Sequence, residues 1–323
     1  MIKISITENE ENQRLDRFLK KYFKSASLSH LYKLIRKDIK INGKRSKAEA
    51  ILKLGDELNI YITDEEAENL RKTKKLQHSK KQFHIAYEDA HILIAEKPFG
   101  LLVHGDRTEK KNTLANQVIS YLIETGEYRP RLERTFAPSP VNRLDRNTTG
   151  LVIFGKDNRT LQTLNQMLRE KECVKKYYLT IVCGELKNEL HLMDKMIKDE
   201  IKNKVSVHKL EEGSDGRMIE TIARPIQSAN GYTLVEIELI TGRTHQIRAH
   251  MQSAGYCVIG DEKYGNAKAN RELKKRFGLS TQFLHAYKLY FAHAHEPISY
   301  LEGKMVTAPL TSYMESIKKN LFE

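Results

Sequence analysis

Apolar residues first recur at helical spacing near the N-terminus. Leu15, Phe18, Leu19 and Tyr22 share one face, with Arg14, Arg17, Lys20, Lys21 and Lys24 around the rest of the turn, which predicts an amphipathic helix. Ser27 is placed to cap a second helix whose apolar face holds Leu28, Leu31, Tyr32 and Ile35. The period then drops to two. Ile39 and Ile41 alternate up to Asn42-Gly43, a dipeptide that tolerates the left-handed backbone of a tight hairpin turn. Gly55-Asp56 marks another turn before alternating Leu58, Ile60 and Ile62. Residues 12–62 therefore read as a small domain in which two short helices feed a small sheet.

From Thr63 to Gln82 there is no aromatic residue and ten charged ones, first acidic and then basic, which predicts a charged linker. A surface helix is the alternative, since Glu, Lys and Leu are good helix formers. From residue 83 to 323 strand and helix patterns mix. Ile92 to Ala95 and Leu151 to Phe154 are short apolar strands. Asp157 stands where it would cap a helix carrying Leu161, Leu164 and Leu168, and Val235, Ile237 and Leu239 alternate with Glu236 and Glu238 as in a half-buried antiparallel strand. The large domain is α+β, rich in strands and long loops, with no internal repeat.

Composition narrows the class. Of 323 residues, 40% are hydrophobic and 30% charged, which excludes a disordered chain and a membrane-spanning one. No uncharged apolar run approaches the roughly 18 residues that cross a bilayer. The opening MIKISITENEENQRL is too polar for a signal peptide, and Cys173, Cys183 and Cys257 lack C-x-x-C spacing, so a cytoplasmic protein with reduced thiols is expected. The net charge of +13 is uneven. Residues 12–62 hold 13 Lys+Arg against 5 Asp+Glu, a net +8, while the other 272 residues share +5. A run of charge is usually a solvated face, but here the acidic partners of such a face are nearly absent. The small domain is thus fitted to a polyanion, with Arg36, Lys37, Lys40, Lys44 and Arg45 as its candidate contacts.

Common chemistries are missing from the sequence. There is no phosphate-binding glycine loop and no nucleophile elbow, so no nucleotide cofactor is expected. His245 and His250 lie five apart and His293-Ala294-His295 alternate, but neither spacing matches H-E-x-x-H, and no Cys or acidic residue completes a recognisable set. No metal is expected. Two other stretches stand out. In Asn142-Arg143-Leu144-Asp145-Arg146-Asn147-Thr148-Thr149-Gly150 an acidic residue lies between two arginines ahead of an apolar strand. Cationic neighbours favour an ionised carboxylate, ready as nucleophile or electrostatic stabiliser; a turn stapled by Asp–Arg pairs fits the same residues. In Thr241-Gly242-Arg243-Thr244-His245-Gln246-Ile247-Arg248 several hydrogen-bonding side chains follow a strand at a density that core packing does not require.

Residues 12–62 resemble the S4 RNA-binding module, through Arg14-Leu15-Asp16-Arg17-Phe18-Leu19, Ile39-Lys40-Ile41-Asn42-Gly43-Lys44 and Gly55-Asp56. The large domain resembles the RluA family of pseudouridine synthases. The match rests on Lys97-Pro98-Phe99-Gly100-Leu101-Leu102-Val103-His104, Arg143-Leu144-Asp145-x-x-Thr148-x-Gly150-Leu151, Lys176-Tyr177-Tyr178-Leu179, Gly242-Arg243-Thr244-His245-Gln246-Ile247-Arg248, Gly260-Asp261 and Tyr264-Gly265. The resemblance implies a mixed, mainly antiparallel sheet flanked by helices, and the isomerisation of uridine without any cofactor. It implies Asp145 as the catalytic aspartate, Arg248 as its partner and Tyr178 as the residue that stacks on the uracil and takes the C5 proton. It assigns RNA contacts to Arg143, Arg243, His245 and Gln246. Ser29-x-x-Tyr32-x-x-Ile35-Arg36-Lys37 leans toward the class C branch, acting on 23S rRNA or a pre-50S particle, rather than class D. A monomer without a membrane partner is expected. A non-catalytic assembly factor would lack Asp145, Tyr178 or Arg248, and all three are present. Asn142 stands where the family commonly has His; Thr149, Thr180 and Cys183 also depart from the common residues.

Overall fold

The computed structural model describes residues 1–71, 79–130, 135–199, 204–210 and 216–323. They fall into two compact units, one of Met1–Lys81, Ala115–Ser139 and Gly155–Gln162, the other of Gln82–Leu114, Pro140–Phe154 and Thr163–Glu323. Residues 115–139 and 155–162, which the sequence pattern assigns to the large domain, thus cluster with the N-terminal residues.

The N-terminal part of the first unit runs β1 (Ile2–Ser5), α1 (Leu15–Tyr22), α2 (Leu28–Lys37), β2 (Ile39–Ile41), β3 (Glu57–Ile60) and α3 (Asp64–Arg71). β3 lies between β1 and β2, antiparallel to both. The sheet therefore starts ahead of residue 12; the alternation of Ile2, Ile4 and Ile6 carries that signal, and Ile4 and Ile6 are buried. Ser27 caps α2 as expected, its side chain accepting from the His30 N–H at 3.3 Å. The buried face differs from the predicted one. Leu31, Leu34 and Ile35 point into the core, whereas Leu28 and Tyr32 are 55% and 42% exposed.

Asn42 and Gly43 take φ of 50° and 76°, and the Lys44 N–H donates to the Ile41 carbonyl at 2.9 Å. That tight turn is not extended into a hairpin. The Asn42 side chain instead holds Asp56 and the Glu57 N–H, both at 2.8 Å, and so delivers β3 to β2 from fourteen residues downstream. Residues 64–71 of the expected linker fold as α3. Thr63 accepts from the Glu66 N–H at 3.1 Å, three acidic residues occupy the positive end, and Ala67 is buried. Residues 72–78 of that linker lie outside the described residues.

Along the remaining chain come β4 (His84–Glu88), β5 (Ile92–Lys97), α4 (Leu114–Glu124), β6 (Ser139–Pro140), β7 (Thr149–Gly155), α5 (Asn158–Arg169), β8 (Val174–Cys183), β9 (Leu190–Asp199), β10 (Lys204–His208), β11 (Arg217–Ala229), β12 (Tyr232–Leu239), α6 (Gln246–Ser253), α7 (Ala267–Phe277), β13 (Leu284–Phe291), β14 (Met305–Thr307) and α8 (Ser312–Phe322). Eleven strands form one sheet in the order β10-β9-β11-β12-β8-β13-β7-β5-β4, with β14 beside β13 and β6 beside β7. The sheet is mainly antiparallel, but β13 and β7 run parallel. Every residue of β7 is buried, which explains its uninterrupted apolar run. Leu164 and Met167 of α5 pack with Ile92, Leu151, Leu289 and Phe291. β12 is buried more deeply than its alternation predicts, because Arg224 neutralises Glu238 from the neighbouring strand at 2.8 Å.

Gly150 sets the centre of this sheet. It pairs with Ala286, has φ of +108°, and a Cβ there would meet the Ala286 carbonyl oxygen at 2.1 Å. Ala286 in turn pairs with Tyr178 on β8. The absence of a side chain at residue 150 thus lets the loop before β7 run close beside the strand neighbouring Tyr178. No helix among the described residues is long and apolar enough to cross a membrane.

Candidate active site

Asp145 sits in that loop. The chain turns tightly there, the Thr148 N–H donating to the Asp145 carbonyl at 3.1 Å, while Leu144 is buried as an anchor. Asn142 adds a second anchor: its side-chain oxygen accepts from the Ile153 N–H at 2.8 Å and its amide donates to the Leu151 carbonyl at 3.2 Å. The residue that departs from the family pattern therefore has a structural task, fastening the loop to β7.

The loop borders a cavity of about 490 Å³ that also meets Tyr178, Lys176, Arg143, Arg243, His245 and Arg248, within the range of a small-ligand site. Arg248, from the first turn of α6, donates from Nη1 to Asp145 Oδ2 at 2.9 Å. Its Nε and Nη2 donate to the two oxygens of Asp261 at 2.6 and 2.9 Å. Asp261 is fully buried and also accepts from the Lys263 and Tyr264 N–H groups. Burial alone would push the Asp261 carboxyl up, but the Arg248 guanidinium and the two N–H groups outweigh it and hold it below its ordinary value. Burial likewise works against the Arg248 charge, and the two aspartates reverse that. The cation beside Asp145 is thus Arg248, brought in from 103 residues away.

The sequence neighbours Arg143 and Arg146 do not hold Asp145, contrary to the local reading. Both are exposed; Arg146 turns to Asp106 and Thr108, and Arg143 lines the cavity. Asp145 Oδ1 has no protein hydrogen bond among the described residues.

Tyr178 is buried at the cavity wall, and burial followed by the Asp145 charge pushes its phenol well above the usual value, so it is un-ionised near neutrality. His245, in left-handed conformation at φ 58°, places Nδ1 3.1 Å from the Tyr264 hydroxyl and Nε2 4.0 Å from Asp145 Oδ2. Burial holds its imidazole below the ordinary value despite the Asp145 charge. Arg243 is exposed at the cavity mouth. Gln246 also lines the cavity; it is buried, donates to the Glu220 carbonyl and Thr221, and accepts from Thr241 and the Arg243 N–H. Its amide, saturated within the protein, holds the turn in shape. In the N-terminal unit, Arg36, Lys37, Lys44 and Arg45 are exposed, and Lys40 lies 5.4 Å over the Tyr61 ring.

Two residues gain roles that the motif stretches did not give them. Asp261 orients Arg248. Lys97, 1% exposed at the end of β5, donates to the carbonyls of Pro98, Leu101 and Arg146 at 2.8–2.9 Å, so it grips the backbone next to Asp145. Burial pulls its ammonium down to about 7, with the Asp145 charge pulling the other way. A single buried ion pair or lysine is invisible in a sequence without its partner; only position within a motif marked them.

Residues 91–253 match the RNA pseudouridylate synthase family. The chain is 32% identical to ribosomal large subunit pseudouridine synthase C of Vibrio vulnificus, over 98% of this chain and 96% of that protein. It is 33% identical to the Escherichia coli protein of the same name, over 90% and 88% of the two chains. Among solved structures it resembles human RNA pseudouridylate synthase domain containing 4, with a TM-score of 0.55 and 20% identity over 72% of this chain and 90% of that one. A similar human structure, domain containing 1, gives 0.54 at 17% identity, covering 74% and 86%. The fold agrees with these neighbours, and full-length identity above 30% goes further: the chain belongs to the RNA pseudouridylate synthase family.

Proposed function

We propose that this chain isomerises uridines of 23S ribosomal RNA to pseudouridine, as a class C-like enzyme of the large ribosomal subunit, with Asp145 as its catalytic residue. The observation that carries the reading is a carboxylate with one oxygen held by a charge-balanced Arg248–Asp261 pair and the other left to the cavity. The reaction breaks N1–C1′, turns the uracil and joins C5 to C1′, so atoms balance within the substrate. The family relation and the chain's likeness to large-subunit enzymes support the substrate class.

The target base leaves its stack to reach the cavity, a step that costs a few kcal/mol. Tyr178 forms a flat wall for that base. As a neutral phenol it takes the C5 proton only by handing on its own, and the nearby charge able to receive it is Asp145. Arg143 and Arg243 at the cavity mouth serve the phosphates and sugars around the flipped nucleotide.

Residues 12–62 are read as an S4 RNA-binding module, residues 63–82 as a charged linker and residues 83–323 as the catalytic domain, working as a cytoplasmic monomer without a cofactor. The exposed Arg36, Lys37, Lys44 and Arg45, with Lys40, support this reading. The test is a pseudouridine map of 23S rRNA from a strain lacking the gene. Specific sites should revert to uridine and be restored by the wild-type gene but not by Asp145→Asn, whose turnover should fall by at least about 10⁴-fold with RNA binding kept. An unchanged map would refute the substrate, and an active Asp145→Asn the catalytic role.

A further inference from the structure

We propose that Glu170, Cys173 and His295 form a zinc-binding site, separate from the catalytic cavity. The three residues come from different places: Glu170 just past α5, Cys173 just before β8, and His295 beyond β13. Cys173 and His295 are 122 residues apart in the chain, which is why the spacing of histidines and cysteines shows nothing. In the fold, His295 Nε2 lies 2.6 Å from Glu170 Oε2, Cys173 Sγ lies 3.1 Å from the same oxygen, and Sγ and Nε2 are 3.8 Å apart.

A tetrahedral zinc ion with bonds of about 2.0 Å to N and O and 2.3 Å to S spaces its ligand atoms by roughly 3.3–3.6 Å. The observed triangle therefore accepts the ion after the carboxylate moves back from the imidazole by under an ångström. A thiolate, an imidazole and a carboxylate suit zinc, whereas magnesium and calcium take oxygen sets. Three protein ligands leave the fourth position to water.

The scaffold around the ligands is built rather than accidental. The Cys173 carbonyl accepts from the Ala292 and His293 N–H groups at 2.8 and 3.3 Å, stitching the His295 segment to the cysteine. Gln166 donates to the second oxygen of Glu170 at 2.7 Å, leaving Oε2 turned toward the other two ligands. Lys171 takes a left-handed φ of 51°, a conformation that sharpens the turn between Glu170 and Cys173.

A bound dication is matched in charge by a thiolate and a carboxylate. Leu168, Arg169 and Lys171 border the catalytic cavity, so an ion held at Glu170 and Cys173 pins that rim from behind.

The test uses the full chain stripped by a chelator, titrated with zinc against a chromogenic competitor and with cobalt by absorption. One equivalent should bind, and cobalt should give a thiolate charge-transfer band and tetrahedral visible bands. Cys173→Ser should abolish the charge-transfer band. Glu170→Gln and His295→Ala, near the surface and harmless to the core, should each weaken zinc by at least about 10-fold. Cys183→Ser with Cys257→Ser should change nothing. Zinc should raise the melting temperature of wild type but not of His295→Ala. No stoichiometric binding, several weak equivalents insensitive to these variants, or a site lost with Cys183 and Cys257 would each overturn the proposal.

Discussion

Asp145 is useful because its environment splits its two oxygens. Oδ2 is occupied by Arg248 at 2.9 Å, and Oδ1 is left for a ligand. That division holds only while Arg248 keeps its orientation, which rests on two bonds to Asp261. A guanidinium with one aspartate would pivot around it; with Nε and Nη2 on Asp261 and Nη1 on Asp145 it has a single pose. Asp261 is therefore a positioning residue. Asp261→Asn keeps the shape and removes the charge, leaving a buried guanidinium half-compensated. We expect kcat to fall about 10²-fold with RNA affinity nearly unchanged, and stability to drop by about 3 kcal/mol. Single-turnover kinetics at saturating enzyme separate the two; a loss confined to RNA affinity would contradict the positioning role.

At the scale of elements, the site depends on how closely β7 approaches β13. Gly150→Ala would drive a Cβ into the Ala286 carbonyl at 2.1 Å in a backbone region that alanine avoids. Moving the strand apart displaces the Asp145 loop from Tyr178, two strands away. We expect a loss of at least about 3 kcal/mol in stability and of activity even where the protein still folds, read by urea denaturation and turnover on the same sample. A tolerated Gly150→Ala would show that the strands have slack. Elements with a clear period were legible in the sequence: α1, α5 with its Asp157 cap, β5, β7 and β12 all stand where their patterns place them. What was not legible depended on distant partners. β2 found β3 rather than a hairpin mate, because Asn42 bonds Asp56 and Glu57. The same holds for the site. Motifs marked Asp145, Tyr178 and Arg248, but the local arginines were misread as Asp145's partners, because only the fold shows which charged groups meet.

Across the whole molecule the charge is unevenly shared. Eight of the thirteen net positive units lie on residues 12–62, while the cavity beside Asp145 is built around one fully buried carboxylate, Asp261, paired with Arg248. The large sheet is also crossed by histidines that fold in neutral form, and this sets an acid limit on stability. His285, 2% exposed, has Nδ1 at 2.7 Å from the Thr149 hydroxyl and Nε2 at 3.1 Å from the Ala308 carbonyl. Nε2 donates to that carbonyl, and in the neutral tautomer Nδ1 accepts from the hydroxyl. Burial lowers the pKa of both His285 and the fully buried His250 in the native state. Below the ordinary value near 6.5 the unfolded chain binds protons that the native state does not, so unfolding is favoured as pH falls, and the stabilisation is complete only above it. Each such histidine steepens the dependence by up to about 1.4 kcal/mol per pH unit. Urea unfolding from about pH 7.5 to 5.5 should therefore show wild-type stability falling across the acid half of that range. His285→Gln removes one titrating group while keeping a donor and an acceptor, so its curve should fall less steeply even where its stability at pH 7.5 is lower. Parallel curves for the two proteins would mean that His285 is protonated in the native state, and that the neutral pairing with Thr149 and Ala308 is wrong.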